Sequence, residues 1–104
     1  QNVENSIMQL SEISDARVLV AGNTALVGVK FDAAYQGALT ERIRDMIAGI
    51  VKQADPTIQT VAVTAQDKDV TDIYTMSDKV RAGEQMNTFN EDILAIVRNS
   101  TTMR

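Results

Sequence analysis

Cysteine and histidine are both missing from the 104 residues. Their absence excludes disulfides, thiolate chemistry, Ser-His and Cys-His nucleophilic pairs and ordinary zinc sites. Tryptophan is missing too, and Phe31, Tyr35, Tyr74 and Phe89 are the only aromatics. A core must therefore be built from Val, Ile, Leu, Ala and Met. No run of Lys and Arg occurs, and the formal net charge of −4 comes from interspersed signs. That leaves no basic stripe for nucleic acid and no polybasic segment for an anionic membrane. No apolar run approaches the ~20 residues of a membrane-spanning helix. The glycines Gly22, Gly28, Gly37, Gly49 and Gly83 are scattered, unlike the close set of a phosphate-cradling loop. The chain begins at Gln1 rather than Met, as a processed or truncated product would, so an export signal is not expected within it.

What is present suits one domain spanning residues 1–104. Apolar residues make up 44% of the chain, close to the roughly 45–50% of globular proteins. A domain of this length buries roughly 65% of the surface of its unfolded chain, enough for a core without staples. Val3, Ile7, Leu10 and Ile13 fall at helical spacing, predicting a first helix over 3–13. Two β-rich runs then flank Gly22-Asn23, a two-residue hairpin turn. That turn sets Val20 opposite Ala25, Leu19 opposite Leu26, Arg17 opposite Gly28 and Asp15 opposite Lys30. One face then carries Ala16, Val18, Val20, Ala25, Val27, Val29 and Phe31. The other is mixed, with Arg17, Leu19, Thr24, Leu26, Gly28 and Lys30.

Residues 36–54 read as the strongest helix, with Leu39, Ile43, Met46, Ile47, Ile50 and Val51 inward and Thr40 or a neighbour as cap. Asp55-Pro56 ends it. Residues 58–65 read as a third strand. Asp67 is placed to cap a helix with Val70, Ile73, Ser77 and Val80 inward, stopped by Gly83. Thr88 and Glu91 match a capping box that opens a last helix, with Phe89, Ile93, Ile96 and Val97 inward. Residues 99–104 read as a polar, flexible tail. The predicted fold is α+β: a three-stranded sheet in an α-β-β-α-β core, helices on one face, and a C-terminal helical pair whose docking is open.

The acidic run from Asp67 to Asp72 fails as a calcium loop, because Asp72 stands where an EF-hand needs glycine and Asp78 where it uses glutamate. Carboxylates also favour the first turn of a helix, which accounts for the run without a ligand. No metal or cofactor is expected, and nothing selects two of the fourteen acids as a glycosidase-like pair. The five methionines read as gap-fillers in the core. The mixed sheet face offers the candidate interaction residues Arg17, Leu19, Leu26 and Lys30: an apolar pair between two cations that could meet a partner. The competing reading is that the C-terminal helices fold back over it, since their own apolar stripes need burial.

Three segments, ARVLVAGNTALVGVKFD, VKQADPTIQTVAVTAQD and DKVRAGEQMNTFNEDILAIVR, resemble in order and spacing the YhcN/YlaJ group of sporulation lipoproteins. The likeness runs from about Asp15 to Arg98. It is sharpest at Gly22-Asn23-Thr24-Ala25, at Ala54-Asp55-Pro56, and at Arg81-Ala82-Gly83 followed by Phe89-Asn90-Glu91. The resemblance implies an exported protein of an endospore-forming bacterium, held at the forespore or spore envelope by a lipid on an N-terminal cysteine. That cysteine is not in this chain, so the anchor rests on the resemblance alone. It implies no enzymatic activity and a role in spore formation or germination. The core topology also looks like the BON and ring-building domains of envelope assemblies, a likeness of fold and not of function. The expectation is a non-enzymatic spore-envelope domain that binds a protein partner or associates with itself, without nucleic acid. A lipid- or peptidoglycan-binding module and a carboxylate-dependent hydrolase are the alternatives.

Overall fold

A computed structural model describes residues 2–35, 37, 39–99 and 102–103. Its organising unit is the hairpin of β1 (Ile13–Ala21) and β2 (Thr24–Phe31), paired antiparallel in the register the turn dictates, from Ala21 opposite Thr24 to Asp15 opposite Lys30. Gly22 has φ +62° and, among the described residues, no non-glycine residue has a positive φ, the pattern of a type II′ turn. The Asn23 carbonyl accepts from Gln59 N–H at 2.8 Å and Thr60 N–H at 3.3 Å. This turn therefore also guides β3 (Thr60–Thr64) alongside β2, with Thr24 opposite Thr60.

The β2–β3 pair is parallel, which requires a crossover, and α2 (Glu41–Ala54) supplies it. Thr40 is the N-cap, its hydroxyl accepting from Ile43 N–H at 3.2 Å. The helix starts at Glu41 and not at 36; Gln36 and Ala38 lie outside the described residues, and Leu39 packs on the core ahead of the helix. Ile43, Ile47 and Val51 are buried as expected. Met46 is not inward but 37% exposed, its sulfur 3.3 Å from Arg42 Nη1, and Ala48 is buried in its stead.

The first helix, α1 (Asn2–Met8), is shorter than the apolar spacing predicts. Ile13 begins β1, where a register shift between Ile13 and Asp15 adds one residue to the strand. Such a bulge reverses the alternation, so Ile13 faces the same core as Ala16. Ser14, the extra residue, donates its hydroxyl to the carbonyls of Lys30 and Phe31, both at 3.2 Å. Val3, Ile7, Leu10 and Ile13 all pack in or against one core. Their spacing recorded a shared destination rather than a continuous helix.

The C-terminal pair is α3 (Asp67–Arg81) and α4 (Asn90–Asn99), joined through a 3-10 turn at Met86–Phe89. Gln66 is the N-cap of α3 and makes no side-chain cap bond. Asp67 is already helical and serves the first turn with its charge instead. Gly83, just past the C-cap Ala82, has φ +114°, the conformation that lets the chain leave the helix. Thr88 belongs to the 3-10 turn, so α4 opens at Asn90 and not from a cap at Thr88. Of the expected tail 99–104, Asn99 closes α4 and Thr102–Met103 form β4, antiparallel to β3, giving the order β1-β2-β3-β4.

The class is α+β as expected, but helices cover both faces of the mixed sheet. Ala25, Val27, Val29, Val61 and Val63 meet α1 and α2 through Ile7, Ile43, Ile47 and Val51 in one core. On the reverse face Leu19, Leu26 and Ala62 meet Ile73, Met76, Phe89, Ile93 and Ile96 in a second. Each fully buried Ile or Leu in these cores stabilises the fold by about 1.5–3 kcal/mol relative to exposure.

Candidate functional site

Of the four residues singled out on the mixed face, two are interior. Leu19 is 1% and Leu26 0% exposed, under α3 and α4, so of the two readings of this face it is the covered one that holds. The apolar stripes of the two C-terminal helices are buried on this pair.

Arg17 and Lys30 converge on one residue that the sequence did not mark, Tyr74 of α3. The guanidinium carbon lies 4.6 Å and Lys30 Nζ 4.4 Å from the ring centroid, within cation–π range. Arg17 Nη1 also donates to Asp78 Oδ1 at 2.9 Å and Ser77 Oγ at 3.2 Å. The two cations thus hold α3 onto the sheet. Among the described residues the Tyr74 hydroxyl is the buried side-chain polar atom left without a hydrogen bond of ordinary geometry. Burial raises its pKa, and the nearby Asp15 carboxylate raises it further.

Gly28 explains how α3 comes so close. A Cβ at this position would stand 3.0 Å from Cδ1 and 3.3 Å from Cγ2 of Ile73. The glycine is the seat for that side chain, a role visible only once the helix is in place.

Between α3 and α4 runs a groove of about 430 Å³. Met76, Phe89 and Ile96, each mostly buried, form its floor. Its sides carry both signs of charge, Lys68 and Lys79 with Asp69, Asp72 and Asp92. Lys68 and Asp72 approach to 3.7 Å, and Lys79 Nζ lies 6.0 Å from the Phe89 ring. Asp69, 8% exposed, is the buried member of the three acids. Periodicity marked Phe89 and Ile96 as inward. It could not show that a groove is left between α3 and α4.

The acidic run is divided by the helix that contains it. Asp67 and Asp69 occupy the first turn of α3, and Asp72 pairs with Lys68 one turn apart. Among the described residues no group of three or more acids is arranged to hold a metal ion. No helix there is long and apolar enough to cross a membrane.

A family model described as sporulation lipoprotein YhcN/YlaJ matches residues 1–99 of the chain. No curated protein matches it.

Proposed function

Because this chain belongs to the sporulation lipoprotein YhcN/YlaJ family, we propose that it is a non-enzymatic module of the spore envelope, tethered through a lipid on its N-terminal side, that acts by holding a protein partner. The observation that carries this reading is the groove between α3 and α4. The molecule's own side chains fill both faces of the sheet, and this concavity, floored by the edges of Met76, Phe89 and Ile96, is left between charged walls. Such a surface suits a peptide segment that presents an apolar side chain between residues of both charges. Lipid headgroups and glycan are poorer matches, since the walls are net acidic and no aromatic platform lines them beyond Phe89.

The test is to crowd the groove without touching the floor. Thr75 and Ala95 line it, Thr75 exposed and Ala95 partly so. Thr75→Arg with Ala95→Arg, introduced at the native locus of an endospore-former, should leave a folded, normally abundant protein and reproduce the spore phenotype of the deletion. Spores that form and germinate as the parent does would sink the groove reading. Retention of the purified domain on anionic liposomes or purified cortex would instead support a lipid- or glycan-binding module. A carboxylate hydrolase acting in the same groove would lose function on Asp69→Asn alone, a change that leaves the groove's shape and its hold on a partner intact.

A further inference from the structure

β1 ends the sheet, so among the described residues one side of its backbone has no strand neighbour. A nine-residue edge with Val18, Leu19 and Val20 in succession ordinarily invites another strand. Here two of the amides that face away from β2 are already taken by carboxylates of the same chain. Ala16 N–H donates to Asp15 Oδ1 at 3.0 Å, and Val18 N–H donates to Glu4 Oε2 at 2.9 Å. Glu4 projects from α1 and is only 5% exposed. Its other oxygen, Oε1, accepts from Arg81 Nη2 at 2.6 Å, across 77 positions of sequence. Arg81 closes the last turn of α3, so the contact ties a helix of one face to a helix of the other over the strand edge.

Core packing does not call for a charge here. An apolar residue of similar size would bury as well and avoid the desolvation of a carboxylate. What a carboxylate adds is an acceptor for an edge N–H and an anchor for Arg81. On the other side of the sheet the short β4 pairs with Val61 and Ala62 of β3, and Arg44 of α2 donates to the Val63 carbonyl at 2.8 Å.

We propose that Glu4 and Arg81 form a latch that keeps the β1 edge closed to a second copy of this chain. The strand is suited to pairing with itself. A two-fold antiparallel register centred on Val18 places Ala16 opposite Val20 and Arg17 opposite Leu19. That register opposes no like charges and joins the strands through the amides that Glu4 and Asp15 now occupy. The proposal is independent of the groove: it concerns the chain's own copies, and the latched domain is a monomer that leaves α3 and α4 free for a partner.

Sedimentation of the full chain from micromolar to millimolar concentration, with amide exchange followed at Val18, tests the latch. The unaltered protein should stay monomeric with a protected Val18 amide. Glu4→Ala should remain folded, exchange that amide about tenfold faster when dilute, as loss of one hydrogen bond implies, and double its mass at high concentration as protection returns. Glu4→Gln, which keeps an acceptor oxygen, should stay monomeric. Arg81→Met should move in the direction of Glu4→Ala by a smaller factor. A folded Glu4→Ala that is monomeric at millimolar concentration overturns the proposal, as does a dimer that leaves Val18 unprotected or equal association by the unaltered chain. If Glu4→Ala does not fold, Arg81→Met decides, and a monomer whose Val18 amide exchanges as in the parent overturns it.

Discussion

The two faces of one sheet are closed by different means. The face toward α1 and α2 is a continuous apolar surface of valines and alanines, and the helices supply isoleucines to meet it. The face toward α3 and α4 offers Leu19, Leu26 and Ala62, interrupted by Gly28 and bordered by Arg17 and Lys30. There the helix reaches the sheet because a glycine removes the obstacle to Ile73, and cations with long stems fold over Tyr74 at the margin. A face that mixes polar and apolar residues in sequence is thus compatible with a complete core. The polar members need a partner on the covering helix, and Tyr74, Ser77 and Asp78 provide it.

The largest effect is expected from a charge placed in each core. Leu26→Asp and Val27→Asp, neighbours on opposite faces and both 0% exposed, should each cost more than about 4 kcal/mol and prevent folding. If the second layer were merely added to a self-sufficient first, Leu26→Asp would melt α3 and α4 alone; circular dichroism with amide exchange distinguishes the outcomes. Next in size is Gly28→Ala, which should destabilise by about 1–3 kcal/mol through overpacking against Ile73. Ile73→Val removes the methyl at 3.0 Å and should recover part of that loss, read as coupling in a denaturant double-mutant cycle. Arg17→Met keeps the apolar stem but loses Asp78, Ser77 and the Tyr74 ring. A cost of about 1 kcal/mol is expected from urea melts, because the site is partly open to solvent.

The last effect is confined to high pH. With the native pKa of Tyr74 raised above the ordinary value of about 10, the stability linked to its neutral form is complete below that value and declines as pH rises beyond it. Phenolate absorbance from Tyr74 should accordingly appear with unfolding. Ionisation near pH 10 in a protein that remains folded would show that burial does not govern the hydroxyl.

The hairpin register was legible residue by residue, because a two-residue turn with glycine leaves one pairing that sorts apolar from polar. Thr40 as cap and Gly83 as stop were legible for the same kind of reason: each satisfies a backbone demand within a few residues. The end of α1 was not, since a bulge at Ser14 let Ile13 continue a helical spacing from a strand. Nor was the candidate site. Leu19 and Leu26 could be read as surface or as core while the helices that cover them lay more than forty residues away, and the groove depends on how α3 and α4 dock.

Short-range signals suffice for the hairpin, the existence of the main helices and of the third strand, the α+β class and the family, because caps, turns and alternation act over a few residues. Tertiary structure alone decided that the C-terminal helices cover the second face and that Arg17 and Lys30 turn inward onto Tyr74. It alone brought Glu4 to the β1 edge to meet Arg81. These are pairings between distant segments, set by which surfaces remain unburied after the hairpin and its first helices have formed, and no short-range pattern records them.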